Sequence, residues 1–269
     1  MSLARIALRI AAVEAIKGRT LVGDNVLDSP NGALDVQADG SLRSEEEKPF
    51  ISIYTDSGKV ENVASRQLNE NGICDIVFEM GISQAMTDLD RETGVTSLVG
   101  IGVPASDRAF EFFLDVVQRQ MFDALNDPED PWAEIYRGLQ YGIRKIEYAG
   151  ARNTDDGQKL AGHQVRITLD LIDDPVRGEV LDDEAPFQKF LKQLEASSDP
   201  VYRKQGATIR SLITAEEESW QQIQRRQGMT ADELLALGLG PVAGDDERAT
   251  PEFAQGHLEL PHRANVVEE

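Results

Sequence analysis

Histidine is the side chain best suited to acid–base chemistry near neutral pH, and this chain has three: His163, His257 and His262. They are too dispersed to predict a catalytic triad, and two of them lie in the C-terminal tail. His163 falls in the apolar register of a predicted strand, where a hydrogen-bonded or edge histidine is more common than a metal ligand. No other metal-binding residue accompanies it at a useful sequence spacing. The histidines therefore predict no active site.

Closely spaced carboxylates could hold a cation, and Asp88, Asp90 and Glu92 followed by Gly94 resemble part of a calcium loop. The glycine is misplaced for an EF-hand and the terminal bidentate glutamate is missing, so the pattern does not predict one. Residues 100–102 (GIG) lack the third glycine of a dinucleotide-binding fingerprint, and the lysine-containing phosphate loop is absent. The sequence predicts no catalytic residue, no metal site and no cofactor.

The composition restricts the classes of partner. With 48 acidic and 27 basic residues, the net charge is -21, which argues against a sequence-reading nucleic-acid binder because phosphate contact needs a basic surface. The single cysteine, Cys74, excludes an intrachain disulfide and is expected to be buried as a small apolar side chain. No apolar run is long enough to span a bilayer, and no signal-peptide core is present, so we expect a soluble, unprocessed chain.

The first five predicted segments are one helix and four strands. A helix is predicted over residues 2–17 and an inner strand over 50–55, where β-branched and aromatic residues alternate with polar ones. A strand over residues 74–82 is expected to pair with the inner strand across a long polar arm. Residues 140–149 and 163–171 predict a second hairpin, the latter by strict alternation.

A long helix is predicted after Ser106, since apolar residues recur there at helical spacing. Its expected buried face comprises Phe110, Phe113, Leu114, Val117, Met121, Ala124 and Leu125. Two Asp-Pro pairs, at residues 127–128 and 130–131, are expected to end this helix, and residues 132–136 to form one short turn at the rim of the core. The polar residues 36–48 are interpreted as an exposed loop.

These elements predict an α+β fold, in which a mixed, largely antiparallel sheet packs against two helices. We place this domain at residues 1–178, a short-helix extension at 179–240, and an extended or disordered tail at 241–269. Capping boxes at residues 214–217 and 230–233 are expected to open short helices. The extension has too few apolar residues for its own core, so it must dock on the domain or on another subunit.

The order of elements, together with residues 49–56 (PFISIYTD), 27–30 (LDSP) and 161–169 (AGHQVRITL), resembles the tail terminator proteins of long-tailed bacteriophages. Related gene transfer agents and contractile tail-like particles carry similar proteins. The resemblance covers roughly residues 1–175 and rests on the order and spacing of elements with a short sequence similarity. Residues 179–269 have no recognised counterpart.

The resemblance implies a virion protein that forms a hexameric ring at the head-proximal end of the tail tube. Such a ring stops tube polymerisation and provides the docking surface for the head–tail connector of the neck. The implied partners are other copies of the chain, the tube protein, the neck connector and, in contractile tails, the sheath protein. DNA would pass through an acidic lumen without sequence-specific binding, since a basic lining would hold the phosphates. The family has no active site.

The charged loops that could contribute to ring contacts contain Asp56, Lys59, Arg66, Arg91 and Arg108. For any one of these residues, an ordinary solvated charge is the simpler interpretation.

The sequence is compatible with three other functions. One is a different neck component, such as a head-completion or connector ring. A second is a small metal-dependent hydrolase, which would require a concave site gathering some of Asp88, Asp90, Glu92, His163 and Asp170. The third is a host-encoded regulatory or adaptor protein with an αβ core and a binding tail.

Overall fold

The computed structural model describes residues 2–30, 35–36, 42–43, 48–61, 66, 68–83, 87–89, 94, 96–98, 106–153, 160–215 and 219–236. Their fold is α+β, as the sequence predicted, with a five-stranded mixed sheet covered by helices on one face. No helix in these ranges is both long enough and apolar enough to cross a membrane.

The strands are β1 Val26–Asp28, β2 Asp35–Val36, β3 Leu42–Arg43, β4 Phe50–Lys59, β5 Ile73–Ser83, β6 Thr87–Leu89, β7 Thr96–Leu98, β8 Gln140–Asn153 and β9 Leu160–Leu171. The main sheet has the order β1-β4-β5-β9-β8, in which only the β1–β4 pair is parallel. Strands β2 and β3 form a small antiparallel pair, as do β6 and β7.

The helices are α1 Leu3–Ile16, α2 Asp107–Leu125, α3 Pro131–Gly138, α4 Pro186–Ala196, α5 Pro200–Ile213, α6 Trp220–Arg226 and α7 Ala231–Ala236. Helix α1 lies against β1 and β4, and α2 lies against β5 and β9. Helices α3 and α4 pack on α1, so the core is a sheet with a helical layer on one side.

The central strand β4 is an inner strand, as predicted, with β1 on one side and β5 on the other. Ile51 and Ile53 are fully buried toward the helices, where they pair with Met80 and Phe78 of β5. The β4–β5 hairpin is therefore confirmed. Strand β1 was not predicted, because its three residues are too few to show an alternating pattern.

Helix α1 begins where the sequence predicted. The Ser2 hydroxyl accepts a hydrogen bond from the amide of Arg5 at 3.1 Å, and Gly18 follows the helix in a left-handed conformation with φ +72°. The helix can approach its neighbours closely because alanines fill much of its surface. Its fully buried residues include Ala4, Ala7, Ala11, Ala12 and Ala15.

Helix α2 also matches its prediction. Ser106 caps it by accepting a hydrogen bond from the amide of Ala109 at 3.2 Å, and all seven predicted core positions are buried. Burial of a large apolar side chain contributes about 1.5–3 kcal/mol before conformational entropy is subtracted, so this face holds the helix on the sheet.

The predicted short turn at residues 132–136 is wrong, because α3 is an eight-residue helix in the core. Asp130 caps it by accepting a hydrogen bond from the amide of Ala133 at 2.8 Å, and Pro131 occupies its first position. Proline is favoured there because the first helical amide has no acceptor within the helix. Ile135 and Tyr136 are buried among the helices.

Helices α4 and α5 belong to the same hydrophobic core as the preceding elements. Phe190 of α4 is fully buried and stacks edge-on with Trp132, at a ring-centroid distance of 6.4 Å. Tyr202 of α5 donates a hydrogen bond to Glu14 of α1 at 2.8 Å. The extension thus docks on the domain, one of the two predicted outcomes, and the proposed boundary at residue 178 does not divide the core.

The two predicted capping boxes differ in outcome. Thr214 follows the end of α5 as its C-terminal cap, and the next helix, α6, begins after Ser219, which forms a capping box with Gln222. The second box is present: the Thr230 hydroxyl accepts a hydrogen bond from the amide of Glu233, and the Glu233 carboxylate accepts one from the amide of Thr230. The predicted tail, residues 241–269, lies outside the described residues, as do the last residues of the predicted extension.

Two small strand pairs lie in segments for which the sequence predicted no strand. Strands β2 and β3 fall at residues 35–36 and 42–43, partly inside the predicted loop at 36–48. Strands β6 and β7 fall between β5 and α2. Strands of two or three residues carry almost no periodic signal, which is why the sequence did not predict them.

Candidate functional site

The most exposed part of the sheet is β8, the 14-residue strand at its end. Within the described ranges, β9 is the only strand hydrogen-bonded to β8, although β3 lies close to it. Every residue from 141 to 150 is exposed. An edge strand presents a row of backbone donors and acceptors that another chain can pair with, so β8 is a candidate interaction surface.

Exposed apolar side chains follow β8 along its length. Tyr141 is 76% exposed, Ile143 51%, Ile146 39% and Tyr148 61%. Ile143, Ile146 and Tyr148 lie opposite Leu169, Ile167 and Val165 of β9, which are buried under the helices. The same side of the sheet is therefore covered at β9 and largely exposed at β8, because the helical layer covers β8 only in part.

Charge distinguishes β8 from most of the molecule. Residues 140–150 contain two basic residues, Arg144 and Lys145, and one acidic residue, Glu147, in a chain whose net charge is -21. Arg144 pairs with Asp170 at 2.7 Å and Lys145 pairs with Glu147 at 2.7 Å. The β8 surface thus combines apolar groups with a slight excess of positive charge.

Two carboxylates and a histidine meet beside this surface. His163 on β9 lies opposite Gly150 of β8, and its Nε2 is 3.3 Å from Oε1 of Glu111 on α2. Asp115, one helical turn further along α2, completes a group in which one potential ligand atom from each residue lies within 4.8 Å of the others. The His163 side chain is 14% exposed and the Glu111 side chain 35% exposed.

The opposite face of the sheet carries a polar network centred on Glu79 of β5. Its carboxylate accepts hydrogen bonds from the Tyr54 hydroxyl at 2.7 Å, the Gln164 amide at 2.9 Å and the Ser52 hydroxyl at 3.4 Å. Burial, reinforced by the hydrogen bond to Glu79, raises the pKa of Tyr54. Since its members satisfy one another's hydrogen bonds, this network holds the strands together.

Asp75 is the centre of a second network on the same face. It accepts hydrogen bonds from Thr168 at 2.6 Å, Ser57 at 2.7 Å and Arg166 at 3.1 Å. Burial acts to raise the pKa of Asp75, but the bonds from Thr168, Ser57 and Arg166 outweigh it and hold the pKa below its ordinary value. Arg166 also pairs with Asp56 at 2.8 Å.

The predicted interface charges lie in different places. Asp56 belongs to the Arg166 network, and Lys59 pairs with Glu61 at the exposed end of β4. Arg66 pairs with Glu233 of α7 and so connects the β4–β5 loop to the extension. Arg108 is exposed in the first turn of α2.

Arg91 lies outside the described residues. The described members of the predicted set are thus distributed over β4, the β4–β5 loop and α2.

The residues required by the hydrolase alternative do not converge in the part of the chain that the structure describes. His163 faces the helices, whereas Asp170 lies on the opposite face of the sheet and pairs with Arg144 at 2.7 Å. Asp88 lies on β6, and Asp90 and Glu92 lie outside the described residues.

Two shallow pockets lie elsewhere on the molecule. One, of about 260 Å³, lies between the segment at residues 178–181 and α5; the other, of about 390 Å³, lies beside Arg19 and α2. Their arginines are neutralised, Arg210 by Glu195 in the first and Arg19 by Asp127 at 2.7 Å in the second. Pockets whose charges are already paired offer little to a polar substrate.

No protein-family model matches this chain, and no curated protein is recognisably similar to it. Its function must therefore be argued from its own surfaces.

Neither the β8 surface nor the cluster of Glu111, Asp115 and His163 was fully predicted from the sequence. The strand β8 was predicted, but its position at the edge depends on the order of strands, which alternation does not reveal. Glu111 and Asp115 are not among the residues of the predicted buried face of α2, and their spacing of four residues was the available signal for a shared ligand. Their proximity to His163 depends on how α2 crosses β9.

Proposed function

We propose that this chain is a structural subunit that closes into a ring with copies of itself, as the tail terminator proteins that it resembles do. The observation that carries the proposal is the edge strand β8, exposed from residue 141 to residue 150 and lined with Tyr141, Ile143, Ile146 and Tyr148. A monomeric protein usually protects such an edge with charge, proline or a covering segment, because it otherwise promotes association.

A ring needs two different surfaces on each subunit, because a head-to-tail contact joins one patch to another. The β8 edge supplies one. The far end of the β4–β5 hairpin, where residues 56–61 are exposed, is a candidate for the other. Strands β5 and β9 separate β4 from β8 in the sheet, so the two surfaces are distinct.

Charge favours a contact between β8 and a different part of a neighbouring copy. Acidic surfaces of identical chains repel one another, whereas residues 140–150 carry one more basic than acidic residue. A slightly basic, apolar edge is complementary to the acidic exterior of the next subunit. The same net charge would give the ring a lumen that DNA crosses without binding.

The remaining parts of the proposal come from the family resemblance. The ring would cap the tail tube at its head-proximal end, stop tube polymerisation and bind the neck connector, with the sheath protein as a further partner in a contractile tail. Its place would be the virion, after assembly in the host cytoplasm. The resemblance also implies a hexamer and no enzymatic activity.

The test is imaging of the purified protein by negative stain, with two matched variants. Ile143→Asp places a charge on β8, and Val201→Asp places the same charge on α5, where Val201 is 57% exposed and Ile143 51% exposed. We expect rings for the wild type and for Val201→Asp, and single subunits for Ile143→Asp. Rings that persist in Ile143→Asp would show that β8 is not the contact, and wild-type preparations without rings would contradict the proposed function.

A further inference from the structure

The cluster of Glu111, Asp115 and His163 has the composition of a metal site. One potential ligand atom from each residue lies within 4.8 Å of the other two, and His163 Nε2 is 3.3 Å from Glu111 Oε1. In a tetrahedral zinc site with bonds of about 2.0–2.2 Å, neighbouring ligand atoms are roughly 3.3–3.6 Å apart. Small rotations of these side chains would therefore bring all three atoms onto one ion.

The two elements that carry the ligands are held firmly by the core. Glu111 and Asp115 flank the buried face of α2, between the core residues Phe110 and Val117. His163 pairs across the sheet with Met80 of β5, which is fully buried. A metal-binding group on two fixed elements requires little reorganisation when the ion binds.

The surroundings leave room for an ion. Position 150 on β8, opposite His163, is a glycine, and an added Cβ there would lie 3.8 Å from Cδ2 of the imidazole. Asp115 is exposed and forms no hydrogen bond or ion pair with the other described residues, so its carboxylate is available to a cation.

The ligand chemistry selects the metal. Mg²⁺ and Ca²⁺ prefer sites made only of oxygen atoms, whereas an imidazole nitrogen with two carboxylates suits Zn²⁺ and neighbouring first-row divalent ions. We infer that the imidazole of His163 and the carboxylates of Glu111 and Asp115 bind one Zn²⁺ ion, which joins α2 to β9 and leaves a fourth position for water. This inference does not rest on ring formation, since a monomer contains the whole site.

The experiment is calorimetric titration of the metal-free protein with Zn²⁺, together with the melting temperature measured with and without the ion. We expect one Zn²⁺ per chain and a higher Tm in its presence, because an ion that binds only the folded state stabilises it. Asp115→Asn and Glu111→Gln should each weaken binding by about tenfold or more, and His163→Ala should abolish it.

Two controls make the result specific to this cluster. Asp123→Asn removes another exposed carboxylate of α2, one that pairs with Arg119, and should leave zinc binding unchanged. A variant with both His257→Ala and His262→Ala tests the histidines of the tail and should also bind normally.

Three results would overturn the inference. They are wild-type protein that binds no Zn²⁺ at one-to-one stoichiometry, binding that survives both Asp115→Asn and His163→Ala, and binding that is lost in the His257→Ala, His262→Ala variant. Asp115 is exposed and its substitution should not impair folding, so Asp115→Asn decides the matter if His163→Ala is unstable.

Discussion

The ring of Tyr148 on β8 meets the ring of Phe122 on α2 edge to face, with centroids 6.5 Å apart and planes inclined at 79°. This contact is where the edge strand touches the helical layer. Tyr148 nevertheless remains 61% exposed, so most of its surface is available to another molecule. One side chain thus anchors β8 to its own subunit and contributes to the exposed surface.

The Phe122–Tyr148 contact should be measurable as a coupling energy. In a double-mutant cycle with Phe122→Leu and Tyr148→Leu, we expect a coupling of about 0.5 kcal/mol, the lower end of the range for aromatic pairs because Tyr148 is largely exposed. The measurement is urea unfolding at low protein concentration, where assembly does not contribute. The control is a second cycle with Phe122→Leu and Tyr141→Leu, since Tyr141 lies on the same strand, and its coupling energy should be near zero. Equal coupling energies in the two cycles would contradict this account.

Asp75→Ala tests the hydrogen-bond network that Asp75 forms on the face of the sheet opposite the helices. The substitution leaves Arg166, Thr168 and Ser57 without their common acceptor, so we expect a loss of about 1.5–3 kcal/mol in the free energy of unfolding at neutral pH. Ser57→Ala, which removes only one of these bonds, should cost less. Equal losses in the two variants would contradict the central role of Asp75.

The same variant makes a prediction about pH. The pKa of Asp75 is held below its ordinary value of 3.8, so its contribution is fully present above that pH and is lost as the pH falls through the lowered pKa of the folded state. The stability difference between wild type and Asp75→Ala should therefore be constant above about pH 5 and shrink in stronger acid. A difference that grows on acidification, measured by urea unfolding, would be incompatible with a lowered pKa.

Gly81→Ala tests the packing between β4 and β5. Gly81 lies directly opposite Phe50, and an added Cβ would overlap the phenyl ring, which is fully buried. Overpacking of this kind typically costs about 1–3 kcal/mol. Gly142→Ala on β8 is the matched control, because no atom lies within 4 Å of its added Cβ, and its unfolding midpoint should stay close to that of the wild type.

Phe190→Ala tests whether the C-terminal extension belongs to the core. Phe190 is fully buried between Phe187 and Trp132, so its truncation should cost about 3–5 kcal/mol. Leu212→Ala, at an exposed position of α5, should change the free energy of unfolding by less than about 0.5 kcal/mol. A small effect at Phe190 would mean that α4 is only loosely attached.

This packing also changes how the extension should be tested. Deletion of residues 179–269 would be the simplest test of a role for the extension in assembly or head joining. The deletion would remove Phe187, Phe190, Leu191 and Leu194 from the core, so it would report on folding as much as on assembly. Substitutions of exposed residues, such as Val201→Asp, leave the core intact.

Long periodic segments were predicted well from the sequence. The seven apolar positions of α2 and the alternation of β9 each span several turns or pairs, so both the element and its buried face follow from local pattern. Helix α3 was missed for a different reason. Its signals were present, since Asp130 and Pro131 form a capped helix start, but the Asp-Pro pair was interpreted only as the end of α2.

The candidate sites depend on contacts between residues that are far apart in the sequence, which a local pattern does not reveal. Glu111 and His163 are 52 residues apart, and they meet only because α2 crosses β9 at the level of that histidine. The exposure of β8 likewise follows from its place at the end of the strand order. Strand order and helix crossing are tertiary properties, which explains why the elements were predictable and their surfaces were not.

The most direct test of ring formation is the mass of the wild-type protein in solution, measured by sedimentation equilibrium over a wide concentration range. A closed ring has a fixed number of subunits, so we expect a single species whose mass is a constant multiple of 29.7 kDa, six for a ring of the terminator type. A protein that stays at 29.7 kDa up to the highest concentration, or a mass that rises without limit, would contradict the account.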